Sequence, residues 1–160
     1  MIAQQTPAGY TVTIPGQLQS YQLVIKGKLP GLNEYTDGNR THQNKGARMK
    51  TEAQELVQWS IYSQLRGLRI RKPVFLLYTF YEKDKRRDHD NVSAFAHKII
   101  QDALVECGTL LDDGWSCVTG YLDRFEIDNA HPRIVVQFIE QEGKVECRNK
   151  PKKSCAISRR

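Results

Sequence analysis

The residues best suited to chemistry lie in one stretch, Lys83-Asp84-Lys85-Arg86-Arg87-Asp88-His89-Asp90-Asn91. A basic run there gives way to two alternating carboxylates at the entrance of an amphipathic helix. Carboxylates this close repel, and one takes up a proton unless a cation intervenes. Magnesium accepts hard oxygen ligands, commonly one or two carboxylates completed by water and phosphate oxygens. If the chain stays extended through the motif, the i, i+2 spacing turns Asp88 and Asp90 to the same side. Free backbone N–H groups at a helix start also favour an approaching phosphate. Two carboxylates, a divalent cation and a polyanion are the parts of a metal-dependent nuclease. The plainer reading is a helix cap and turn with solvated charges, since acids before a helix are common.

The elements that must hold this stretch follow from periodicity. Val74 to Tyr81 is apolar on both faces, which predicts a central strand ending just before the motif. A helix is predicted from about Asn91 to Cys107, with Asp90 or Asn91 as N-cap and Gly108 as its stop. Val92, Phe95, Ala96, Ile99, Ile100, Ala103, Leu104 and Cys107 form its apolar stripe. Leu110 to Gly114 then makes a loop bearing Asp112 and Asp113. Upstream, Arg48 to Arg66 reads as a helix whose stripe is Met49, Ala53, Leu56, Val57, Ser60, Ile61 and Leu65, with Gly67 beyond it. Tyr21 to Ile25 reads as a strand, Tyr10 to Ile14 as a shorter one, and Lys28 to Gly46 as a long polar loop. Val118 to Phe125 and Arg133 to Ile139 are closing strands. The expected fold is α+β (mixed α/β): a single compact domain with a small mixed sheet packed against two main helices. Its expected limits are an N-terminal extension over residues 1–20, the domain over 21–140 and a basic, disordered tail over 141–160.

Composition narrows the class. A chain of 160 residues, 39% apolar and 26% charged, supports one domain with a real core. No apolar run approaches the roughly 20 residues that cross a bilayer, and the first residues lack the basic start and apolar block of a secretory signal. A cytoplasmic protein with no membrane partner is expected. The net charge of +6 favours a polyanionic partner. Part of that excess sits in the tail from Lys144 to Arg160, either a solvated end or an auxiliary DNA contact. Cys107, Cys117, Cys147 and Cys155 contain no C-x-x-C pair, so reduced thiols are expected rather than structural zinc or disulfides.

In order along the chain, Arg86-Arg87-Asp88-His89-Asp90-Asn91, Gln101-Asp102-Ala103-Leu104, Gly108 and Leu111-Asp112-Asp113 resemble the RusA family of Holliday junction resolvases. Leu29-Pro30-Gly31-Leu32-Asn33-Glu34-Tyr35 is similar to that family's early Pro-rich turn, so the likeness runs from about Tyr21 to Ile139. The resemblance implies a homodimeric endonuclease that uses magnesium, or manganese in its place, to nick opposed strands of a four-way DNA junction. It implies a setting in DNA recombination and repair, often in phages. By position, Asp88, Asp90 and Asp113 correspond to the metal-binding carboxylates, and Arg87 to a contact with the DNA backbone. Arg86, Lys83 and Lys85 then neutralise flanking phosphates. The family's helix lysine falls at Ala94 counting forward from Asp88, and at Lys98 counting back from Asp102, because this chain has four extra residues between. Four residues are close to one helical turn, an offset of about 6 Å that a long ammonium can span. Lys98 is thus either a catalytic cation or a solvated residue on a polar helix face. Two other functions suit the same residues: a structure-selective DNA-binding protein without catalysis, and a nuclease for flaps or forks.

Overall fold

Tyr78 and Phe80 have no solvent exposure, and neither do Val74 and Leu76 on the same face of their strand. That strand organises the sheet. In this computed structural model, which describes residues 2–6, 9–13, 20–42 and 44–143, the elements in chain order are β1 (Ile2–Thr6), β2 (Gly9–Thr13), β3 (Ser20–Lys26), α1 (Leu32–Thr41), α2 (Lys45–Gln64), β4 (Val74–Glu82), α3 (His89–Glu106), β5 (Val118–Ile127) and β6 (Arg133–Glu140). The basic tail from Lys144 lies outside the described residues.

The sheet order is β1-β2-β3-β6-β4-β5. β4 runs parallel to β5 and antiparallel to β6. A parallel pair needs a crossover, and α3 supplies it between β4 and β5. β6 pairs antiparallel with β3 over seven residues, while among the described residues β2 meets β3 at Thr11 and Val12. β1 and β2, from the segment read as an extension, pair with each other antiparallel. Beyond β2, the outer edge of β3 is closed by a side chain. Val24 donates its N–H to Gln64 Oε1 at 2.9 Å, and Gln64 Nε2 donates to Val24 O at 2.6 Å, as a neighbouring strand would.

The fold is therefore α+β with a mixed sheet, as expected. Leu23 and Ile25 of β3, Val74, Leu76, Tyr78 and Phe80 of β4, and Ile134, Val136 and Phe138 of β6 meet one face of α2 and α3. Seven of the eight stripe residues predicted for α3 are buried, with Cys107 partly so. In α2, Ala53, Val57 and Ile61 are buried, but Leu56 is not; Gln58 is buried instead. Its amide donates to Glu106 Oε2 at 2.8 Å, so a polar contact between α2 and α3 replaces an apolar one. Gly67 and Gly108 end their helices at φ +76, the left-handed conformation glycine adopts without penalty.

A third helix stands where a loop is expected. α1 has the sequence LNEYTDGNRT, with a glycine, two asparagines and two threonines, all weak helix formers. Its support is tertiary. Asn33 N–H donates to Asn91 Oδ1 at 2.8 Å, and Tyr35 packs on Phe95 with ring centroids 4.8 Å apart. Glu34 reaches back to the Gly31 N–H at 3.1 Å, one half of a capping box.

Candidate active site

Arg87 shapes the basic motif. β4 ends at Glu82, the chain swings outward through Lys83 to Arg86, and Arg87 brings it back. Its guanidinium donates to both oxygens of Glu82, at 2.7 Å to Oε1 and 2.8 and 3.1 Å to Oε2, and to Leu29 O at 2.9 Å. Both side chains of the pair are 12% exposed. Arg87 is thus committed to closing the turn from β4 into α3 rather than presented to an outside ligand. Lys83, Lys85 and Arg86 are exposed on the excursion it closes, with Arg86 leaning on Asp84 at 3.6 Å.

The helix starts earlier than the motif suggests. Asp88, in extended conformation, is the N-cap, and His89 opens α3. Asn91, expected near the cap, instead holds the start of α1. The chain is therefore not extended through Asp90, so the strand spacing that would turn both carboxylates to one side does not apply: Asp88 precedes the helix and Asp90 sits in its first turn. Asp88 makes no side-chain capping bond. Among the described residues, neither the Asp88 nor the Asp90 carboxylate has a hydrogen-bond or ion-pair partner, and both are exposed. They line a depression of about 650 Å³ with Glu82, Asp84, Lys85, Arg87 and Phe125. The His89 ring stacks flat on Phe125, with centroids 3.9 Å apart, which fixes the residue between the two acids.

Asp113 lies in the loop beyond α3 and comes back beside the helix. Lys98 Nζ donates to Asp102 Oδ1 at 2.6 Å and lies 3.7 Å from Asp113 Oδ2. The hydrogen bond to Asp102, helped by the charges of Asp102 and Asp113, raises the Lys98 ammonium above the ordinary lysine range, so it remains a cation. With Lys50, Glu106 and Asp112 these residues line a cavity of about 490 Å³. Lys98 and Ala94 share one groove, as a one-turn offset requires, and Asp90 lies at its far end. The structure therefore joins Lys98 to Asp113 and sets Asp90 along the same groove, eight residues back on the helix.

The three acids do not form a single ligand set. No group of three His, Cys, Asp or Glu side chains among the described residues is placed to hold a metal ion. The donors that suit magnesium are Asp88 and Asp90: hard oxygens without partners, in the number that ion takes from protein when water and phosphate complete its shell.

Two residues that the sequence reading passed over also line this groove. His97 Nε2 and Asp123 Oδ1 are 2.8 Å apart, joining α3 to β5. His97 is enclosed by Tyr78 and Tyr121, with centroids 4.6 and 4.5 Å away. A contact across 26 residues leaves no local spacing signal. The Lys98–Asp102 pair, in contrast, has the i, i+4 spacing that signals helix partners. No helix among the described residues is long and apolar enough to cross a membrane. No protein-family model and no curated protein matches the chain.

Proposed function

We propose that this chain is a magnesium-dependent endonuclease of the RusA type, acting on four-way DNA junctions by paired nicks. One observation carries the reading: Asp88 and Asp90 present unpartnered carboxylates at the N-terminus of α3, beside exposed Lys83, Lys85 and Arg86. A surface that only bound phosphate would gain nothing from two free acids at the contact. Magnesium held there supplies a polarised phosphoryl oxygen and an acidified water. Lys83, Lys85 and Arg86 neutralise the phosphates on either side, an affinity that falls steeply with salt. The start of α3 directs N–H groups toward the same phosphate. Lys98, kept protonated by Asp102 and Asp113, supplies positive charge farther along the groove.

A junction with two-fold symmetry requires two such sites, and a C₂ dimer provides them. We place the second copy on the face of the sheet that the helices leave open. Phe75 and Leu77 of β4 stand there beside Leu122, 55% exposed, and Ile139, 37% exposed. The same face carries both charge signs, in the Arg124–Glu126 and Arg133–Asp128 pairs, as a surface that meets itself must. Cleavage rates on a four-way junction, a fork and a linear duplex of equal length test both statements. The junction is expected to be cut at least about tenfold faster than duplex, with nicks in symmetric pairs. Equal rates on all three would remove the junction from the reading, and nicks that never pair would remove the dimer.

A second reading is favoured by a separate observation. Asp113 is engaged by Lys98, Ala94 stands at the forward-counted lysine position, and the three acids are not gathered. These features suit a structure-selective DNA-binding protein without catalysis. Such a protein holds DNA equally well with and without magnesium and releases no nicked strand.

A further inference from the structure

Trp115 is 97% exposed, although tryptophan is a residue that folding normally covers. Its position is nevertheless firmly built. The N–H groups of Cys117 and Val118 both donate to Gly114 O at 2.9 Å, closing a tight turn with Trp115 on its outside. Cys117 is 2% exposed and anchors one side of the loop, while Thr109 and Leu110, at 1% and 3%, anchor the other. Val74 N–H donates to Cys117 O and Ile70 N–H to Thr109 O, both at 2.8 Å. The indole is thus held out from a fixed base.

What surrounds it suggests a ligand. Trp115 and Tyr121, itself 53% exposed, line one hollow with Asp113 and Gln101. Tyr121 and Gln101 also line the groove that runs past Lys98, His97 and Asp123 to Asp90. The two hollows therefore form one track between α3 and β5, with the open Trp115 ring and the half-exposed Tyr121 ring, packed on His97, at one end and an unpartnered carboxylate at the other. Exposed rings along a groove are how proteins seat unpaired bases, because every base has a face to stack and duplex hides those faces. The charges of this track are Lys98 against Asp90, Asp113 and Asp123, so a strand's phosphates lie in it together with the cation proposed above.

We infer that this track takes an unpaired DNA strand and that Trp115 stacks on one of its bases, with Tyr121 beside it. The inference rests on the nuclease reading and adds to it the side chain that holds an unstacked base at the branch. A protein partner suits the site less well, since Asp113 and Lys98 beside the rings are polar rather than part of an apolar surround.

Trp59→Phe leaves Trp115 as the one tryptophan, since the chain has two, and Trp59 lies on the exposed side of α2, stacked on Tyr62. With calcium in place of magnesium, labelled fork, single strand and blunt duplex are titrated in, reading indole emission and DNA anisotropy together. Fork and single strand are expected to quench Trp115 as they bind, and duplex to bind without quenching. Trp115→Ala is expected to weaken fork binding by about tenfold and Trp115→Phe to restore most of it, with duplex binding changed less than twofold by either. Binding of the fork with unchanged emission overturns the inference while leaving the nuclease reading standing, as does equal weakening of fork and duplex by Trp115→Ala. Emission that changes with protein concentration and not with DNA assigns the indole to self-association and overturns it also. Absence of any anisotropy change with any DNA overturns the nuclease reading, and this inference with it.

Discussion

Asp90→Asn is expected to keep junction binding within about twofold of the parent and to lower nicking by about 10²- to 10³-fold, the loss typical when one preorganised charge-stabilising group is removed. That range corresponds to about 3–4 kcal/mol of transition-state stabilisation. The substitution suits the question because asparagine has nearly the same shape and Asp90 is exposed, without a partner among the described residues. Nothing in the fold has to readjust. The one structural loss is the favourable charge in the first turn of α3, about 0.3–1 kcal/mol. Binding is retained because Lys83, Lys85 and Arg86 are untouched. Strand cleavage and gel-shift assays on the same junction separate the two effects. Cleavage at the parent's rate would show that Asp90 holds no catalytic ion.

Arg87→Ala is expected to act on stability, with a loss of about 3–5 kcal/mol, because it strands the mostly buried Glu82 carboxylate without its partner. For a domain of this size that corresponds to a fall in Tm of roughly 10 °C. It also frees the Leu29 carbonyl that ties the segment before α1 to the start of α3. Replacing both partners, Arg87→Met with Glu82→Gln, is expected to recover most of the loss, because no charge is then left buried alone. Arg86→Ala is the control: its side chain is 88% exposed, and its effect on stability stays within about 0.5 kcal/mol. Thermal unfolding of the four proteins reads the comparison directly. An Arg87→Ala protein as stable as the parent, but weaker on DNA, would return Arg87 to the role of a phosphate contact.

These two residues also illustrate what local sequence can carry. The stripe of α3 and the unbroken apolar run of β4 are written in period and composition, so both elements and the central place of β4 are legible. Asp88 and Asp90 are legible as candidates because two like charges so close together, after a basic run, are costly without a cation. The role of Arg87 is not, since its partners are the last residue of β4 and a carbonyl 58 residues away. Asn91 is misread for a related reason: an asparagine near a helix start looks like that helix's cap, whereas its oxygen serves the N-terminus of α1. α1 in turn is dominated by Asn, Thr, Gly and Asp, with only Leu32, Glu34 and Arg40 favouring helix, and it leans on Asn91 and Phe95. Asp113 is instead held beside Lys98, 3.7 Å away, a contact between a helix and the loop beyond it that no local spacing announces.

The central claim is that the free carboxylates at the start of α3 hold a metal ion that cuts DNA. Its most direct test is incubation of a labelled synthetic four-way junction with the purified protein, in magnesium and in EDTA. Symmetric paired nicks in magnesium, absent in EDTA, are the expected result. Tight binding that is the same in both, with no nicked product in either, would contradict the claim and leave a junction-binding protein without catalysis.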